Sequence, residues 1–214
     1  MRKLLFCLGT ALLLFSSCTE DRAIEAEQII VDPSSQLVYY WNFNALPTGP
    51  LTAIAPDFPS VTTAKIEFLG TSAGIIESDT DGYTINARNG DAALNLLKAR
   101  NPSNNKSLVF TLPTTGYKKI ILQFATARSP NNGATTQNYS YTTDGTNYIQ
   151  TGLTKITHNT TADLPDLIAL DFTEIPAVNN NPNFKFKIDF DGATISGTSG
   201  NNRFDNVTLE GVPN

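Results

Sequence analysis

The chain has 214 residues, with 15 Lys and Arg against 20 Asp and Glu and a formal net charge of −5. That length implies one domain, and an acidic balance with no basic cluster beyond the N-terminus excludes nucleic acid and an anionic membrane surface as partners. Both cysteines, Cys7 and Cys18, lie in the N-terminal segment, so the rest of the chain has no disulfide or thiolate metal site and must be stable by packing alone.

Arg2 and Lys3 form a basic start, and residues 4–15 are an apolar run of about a dozen, shorter than the ~20 residues of a membrane-spanning helix and matching a secretory signal. Ser16, Ser17 and Cys18 follow. Two small residues before a Cys, just past the apolar run, resemble the lipobox of bacterial lipoproteins, although Phe15 departs from the usual Leu. The resemblance implies cleavage after residue 17, a lipid on Cys18 and an outer-membrane anchor through acyl chains. Plain secretion with a free Cys18 is the alternative. Thr19, Glu20 and Asp21 resemble the surface-export signal of Bacteroidetes lipoproteins, which implies display on the cell surface; a solvated linker is the other reading. Residues 18–35 are read as a flexible tether, with Pro33 ending any helix.

The domain is read as 36–214. Residues 36–44 alternate Leu37, Tyr39, Trp41 and Phe43 with Tyr40, Asn42 and Asn44, a strand pattern. Residues 46–60 carry Pro47, Pro50, Pro56 and Pro59 and form an irregular excursion. Strands are expected at 65–69 and 83–87, with a turn at 78–82 between them, and at 92–98, where a short helix also fits. Residues 107–112 follow, then 117–127, which is apolar on both faces and therefore central in its sheet. Residues 137–142 and 147–150, joined by Asp144-Gly145, read as a hairpin. Strands at 167–172, 184–190 and 203–210 complete the chain. About ten short strands with Gly, Pro and Asn in the loops predict an all-β protein, a two-sheet antiparallel β-sandwich (jelly roll), behind a signal peptide and short tether.

Four landmarks occur in order: YYWNFN at 39–44, KKIILQFATARS at 118–129, YSYTTDGTNY at 139–148 and SGNNRFDNVTLEG at 199–211. Together they resemble the galactose-binding-like, carbohydrate-binding-module-type jelly rolls of Bacteroidetes surface lipoproteins. The resemblance spans essentially the whole domain. It implies a non-catalytic glycan-binding or adhesion module at the cell surface, with a polysaccharide, glycoconjugate or surface protein as partner. A structural component of an outer-membrane complex is the alternative reading, and a glycoside hydrolase a third. Related modules keep a structural calcium ion near an Asp on the last strand, a position that Asp205 matches.

Asp205 also stands out on physical grounds. It shares parity with Val207 and Leu209, so if those face the core it does too, and an ionised carboxylate out of water needs a partner. The candidates are calcium held with Asn44 and Asp57, an ion pair with Arg203, or N–H groups of the 196–202 loop; a bulge at Phe204 would reverse the parity. For a glycan, Tyr117, Arg128, Asn131, Asn132 and Tyr139 offer an aromatic platform and planar polar groups in or beside loops that could be neighbours. Catalysis has no motif behind it: His158 is the only histidine and reads as solvated surface, and the carboxylates fall in turns or on exposed strand faces.

Overall fold

The computed structural model describes residues 32–60 and 62–214. The signal segment 1–17, Cys18 and most of the tether lie outside the described residues. Asp32 already docks on the domain, with Oδ2 2.8 Å from Lys119 Nζ, and Ser34 donates its N–H and O–H to Oδ1. These contacts hold the Asp32 carboxyl well below the usual carboxylate range.

The described residues form thirteen strands: β1 (Gln36–Trp41), β2 (Pro50–Leu51), β3 (Ala53–Ile54), β4 (Lys65–Gly70), β5 (Ile76–Thr80), β6 (Asn95–Arg100), β7 (Lys106–Thr111), β8 (Tyr117–Arg128), β9 (Thr136–Thr142), β10 (Thr157–Asn159), β11 (Asp166–Asp171), β12 (Lys185–Asp191) and β13 (Asn201–Pro213). One sheet runs β11-β8-β13-β6-β5-β2, with β1 also on β13; the other runs β10-β9-β12-β7-β4-β3. All strand pairings are antiparallel. The two-sheet sandwich expected from the sequence is the fold observed.

Period-2 alternation sends one residue set of each strand into the space between the sheets. Phe124 of β8 shows how the layers interlock. Its ring lies 6.1 Å from Phe204 in its own sheet and 6.2 Å from each of Phe110, Phe186 and Tyr139 in the other. A polar chain crosses the same space. Tyr139 O–H donates to Gln137 Oε1, Gln137 Nε2 donates to Thr126 Oγ1, and Thr126 O–H donates to the Arg203 carbonyl, all at 2.9 Å. These buried polar atoms are satisfied, so they join the sheets without a desolvation penalty left standing. As expected, β8 is interior to its sheet, between β11 and β13.

The last strand organises one face. Residues 201–204 of β13 pair with β6, residues 207–211 pair with β1, and β8 runs along the opposite side. Between the two partners the β8 register slips, and Asn206 takes a left-handed φ of 48°, a conformation that Asn tolerates better than most residues. This bulge corrects the parity argument. Phe204, Val207 and Leu209 are in the core, and Asp205 falls on the other face.

Three local expectations also change. Residues 76–80, including most of the expected turn, form β5: its polar side chains are matched across the ladder, with Lys98 Nζ 3.0 Å from Asp79 and 3.5 Å from Glu77. Residues 83–87 are not a strand, because the Tyr83 N–H and C=O and the Ile85 C=O bond to side chains of β13. After β9 the chain does not return as a full hairpin. Asp144 Oδ1 accepts the N–H groups of Thr146 and Asn147 at 2.8 and 2.7 Å, which removes donors that a ladder would use. Only Ile149 pairs with Tyr141, and 147–151 becomes a flap beside β9.

Candidate functional site

Because 137, 139 and 141 point into the core, Asn138 and Ser140 of β9 point to the outer face, as do Lys187 and Asp189 of β12. The register pairs Ser140 with Lys187 and Asn138 with Asp189. The flap supplies Tyr148, Ile149, Gln150 and Thr151 on the far side of β9, and these groups enclose an open cavity of about 400 Å³. Two backbone bonds between Ile149 and Tyr141, at 2.8 and 2.9 Å, and one from Gln150 Nε2 to the Tyr139 carbonyl, at 2.9 Å, pin the flap.

The cavity has one acid and one base. Lys187 Nζ lies 2.8 Å from Asp189 Oδ2 and 4.7 Å from the centroid of the Tyr148 ring, within cation–π range. Ser107 O–H donates to Asp189 Oδ1, so the carboxylate is fixed from both sides. Burial pushes the Tyr148 phenol up, with the Asp189 charge adding to it. Ser140 is 7% exposed, and its Oγ is buried without a hydrogen-bond partner. Leaving such a group unpaired costs about 1–3 kcal/mol. This arrangement can accept hydroxyl protons and offer an aromatic surface, the two demands of a sugar-sized ligand in a pocket of a few hundred Å³.

The expected glycan residues do not converge. Tyr117 and Arg128 stand at opposite ends of the 12-residue β8, roughly 35 Å apart at strand rise. Arg128 is occupied by the carbonyls of Thr160, Ser129 and Pro130. Asn131 is exposed, and Asn132 donates to Ser199 Oγ at 2.7 Å. Tyr139 is a core residue with no exposed surface, so its ring is not a platform; its main chain lines the cavity. Tyr148, Asn138, Ser140, Gln150, Lys187 and Asp189 were missed. The alternation of 184–190 did place Lys187 and Asp189 outward, but nothing local in the sequence signals that the flap lies beside them. His158, read as solvated, is half-buried in β10, 3.2 Å from Asp166 of β11; burial lowers its pKa and the carboxylate opposes that.

Asp205 belongs to a different structure on the outer face of the first sheet, where residues 81–94 cover the bulge. Its Oδ2 accepts the Tyr83 N–H at 2.6 Å and its Oδ1 accepts the Asn206 N–H at 2.7 Å. Its partners are thus neither Arg203, which pairs with Asp163 at 2.7 Å, nor the 196–202 loop. Burial raises the Asp205 pKa to about 7 against those two N–H bonds. Asn206 Nδ2 donates to the carbonyls of Tyr83 and Ile85, and its Oδ1 accepts the Tyr40 O–H. Asn86 Nδ2 donates back to the Asn206 carbonyl at 2.7 Å. Of the calcium set named from the sequence, Asn44 Oδ1 accepts the N–H groups of Leu94 and Asn95, and Asp57 Oδ2 accepts the Asn42 N–H. Among the described residues no three His, Cys, Asp or Glu side chains converge.

The fold defines the chain as a two-sheet antiparallel β-sandwich. In solved structures it is similar to the CBM22-1 xylan-binding domain of Xyn10C from Paenibacillus barcinonensis, with a TM-score of 0.53 at 6% identity over 84% of this chain and 97% of that one. The CBM22-2 xylan-binding domain of the same protein gives 0.45 at 11% identity, over 67% and 91% of the two chains. The xylan-binding module CBM15 gives 0.41 at 12%, over 69% and 97%. No family model and no curated protein matches the chain.

Proposed function

We propose that this chain is a non-catalytic glycan-binding module, carried at the outer membrane by a lipid on Cys18, with a polysaccharide or glycoconjugate as its partner. The observation that carries the reading is the cavity between β9, β12 and the flap, where Tyr148, Gln150, Asn138 and Asp189 meet over the unpartnered Ser140 hydroxyl. Polar groups that a fold leaves open at a concave surface are the ones a ligand satisfies. The fold agrees, since a solved structure with a TM-score of 0.53 is a xylan-binding domain by its description. Asp189 is the single carboxylate lining the cavity, whereas glycoside hydrolysis uses two facing each other across the bond.

Affinity electrophoresis of the full chain in gels cast with soluble polysaccharides tests binding directly. Retardation by at least one polysaccharide is the expected result, and unchanged mobility with all of them overturns the reading. Mass spectrometry of the protein from membranes tests the anchor: an acylated N-terminal peptide beginning at Cys18 is expected, and an unmodified Cys18 contradicts it.

A further inference from the structure

Lys187 and Tyr148 stand on either side of Ser140. The ladder pairs Lys187 with Ser140 on one side, and the flap that carries Tyr148 is bonded to β9 on the other. The ammonium therefore spans β9 to reach the ring, 4.7 Å from its centroid, and the Ser140 hydroxyl is left buried without a partner. A cation resting on a half-buried aromatic ring at the surface holds it weakly, so a flat apolar ligand face can replace it.

We propose that the ligand of this cavity is an uncharged sugar ring that lies on Tyr148 in the place of the Lys187 ammonium, with Ser140 and Asp189 bonding its hydroxyls. This rests on the glycan-binding reading above and adds the class of sugar. The argument is one of charge and proton supply. Lys187 and Asp189 neutralise each other at 2.8 Å, so the cavity has no charge left for an anion. A uronate or sulfate that took Lys187 would face the Asp189 carboxylate, and that like-charge contact is unfavourable. The free polar atoms are of both kinds: Gln150 uses one Nε2 hydrogen on the Tyr139 carbonyl, which leaves the other and Oε1, and Asp189 retains lone pairs beside its bonds from Ser107 and Lys187. Sugar hydroxyls both donate and accept, which matches this mixed floor, whereas a carboxylate or sulfate group only accepts.

The test is titration calorimetry on the full chain with a neutral xylan, a neutral glucan, polygalacturonate and a sulfated glycosaminoglycan. Binding is expected with a neutral polymer, about tenfold weaker in Tyr148→Ala and retained in Tyr148→Phe, whose ring is kept. Lys187→Met is expected to bind the neutral polymer at least as tightly as the wild type. Melting temperatures of the variants confirm that each is folded. Binding of acidic polymers alone, lost in Lys187→Met, overturns this proposal and leaves the glycan-binding reading standing. Neutral binding that Tyr148→Ala does not weaken overturns the assignment to this cavity, and no binding to any polymer overturns both.

Discussion

Two buried polar side chains on the two outer faces of the sandwich, Asn206 and Ser140, are treated in opposite ways. At the bulge in β13, both Asp205 oxygens have N–H donors and all of the Asn206 side chain is used, most of it by residues more than a hundred positions away. In the cavity beside β9, the Ser140 hydroxyl has no partner and Lys187 rests on an aromatic ring. Satisfied polar networks specify a fold, whereas open ones wait for a ligand. On the proposed function, the Asn206 bulge serves architecture and the Ser140 cavity serves binding. The seam at β13 is where the chain's first and last strands meet, which makes it the place where stability should be most sensitive.

The largest effect is expected from Asn206→Ala. It removes three side-chain bonds, two to the 83–85 segment and one from Tyr40, and places a Cβ residue without hydrogen-bonding capacity at φ 48°. A loss of about 3–5 kcal/mol in urea denaturation is expected, and a loss near zero would remove the seam's architectural role. Asn206→Gly keeps the left-handed backbone but not the bonds, so it should recover only the strain component, about 1 kcal/mol.

Asp205 gives the next effect, through pH. Its folded pKa of about 7 lies above the ordinary carboxylate value, so the folded state holds the proton more tightly than the unfolded chain. That contribution to stability is complete below about pH 4 and is lost as pH rises to about 7, a decline of roughly 2–4 kcal/mol from this group. Denaturation curves at pH 4.5 and 8 should show the decline in the wild type and a flatter profile in Asp205→Asn. Equal pH slopes in the two proteins would contradict the assignment.

The architecture was legible because it rests on local alternation. Residues 117–127 are apolar on both faces and are interior to a sheet; 184–190 alternate, and 185–191 form β12. The site was not legible, for a physical reason. Tyr148 meets Lys187 only because the turn bonds of Asp144 divert 147–151 from a regular hairpin, and Ser140 is orphaned only once that flap is in place. Tyr139 lies near a loop and reads as a platform, yet its inward parity commits it to the core. At β13 a single left-handed residue, Asn206, reversed the face of Asp205, and an Asn beside an Asp carries no mark that says which will bulge.

The smallest stability effect is expected in the cavity itself. Ser140→Ala removes a buried hydroxyl without a partner, so denaturation should show a gain of about 1 kcal/mol, while affinity for a neutral glycan falls. A large destabilisation would mean that Ser140 supports the fold and would erase the contrast between the faces.

The central claim is tested most directly by the mobility of the wild type, Tyr148→Ala and Asn206→Gly in a gel containing a neutral polysaccharide that retards the wild type. Retardation lost in folded Tyr148→Ala and kept in the less stable Asn206→Gly is the result expected. Retardation kept in Tyr148→Ala and lost in folded Asn206→Gly would place binding on the other face and contradict the account.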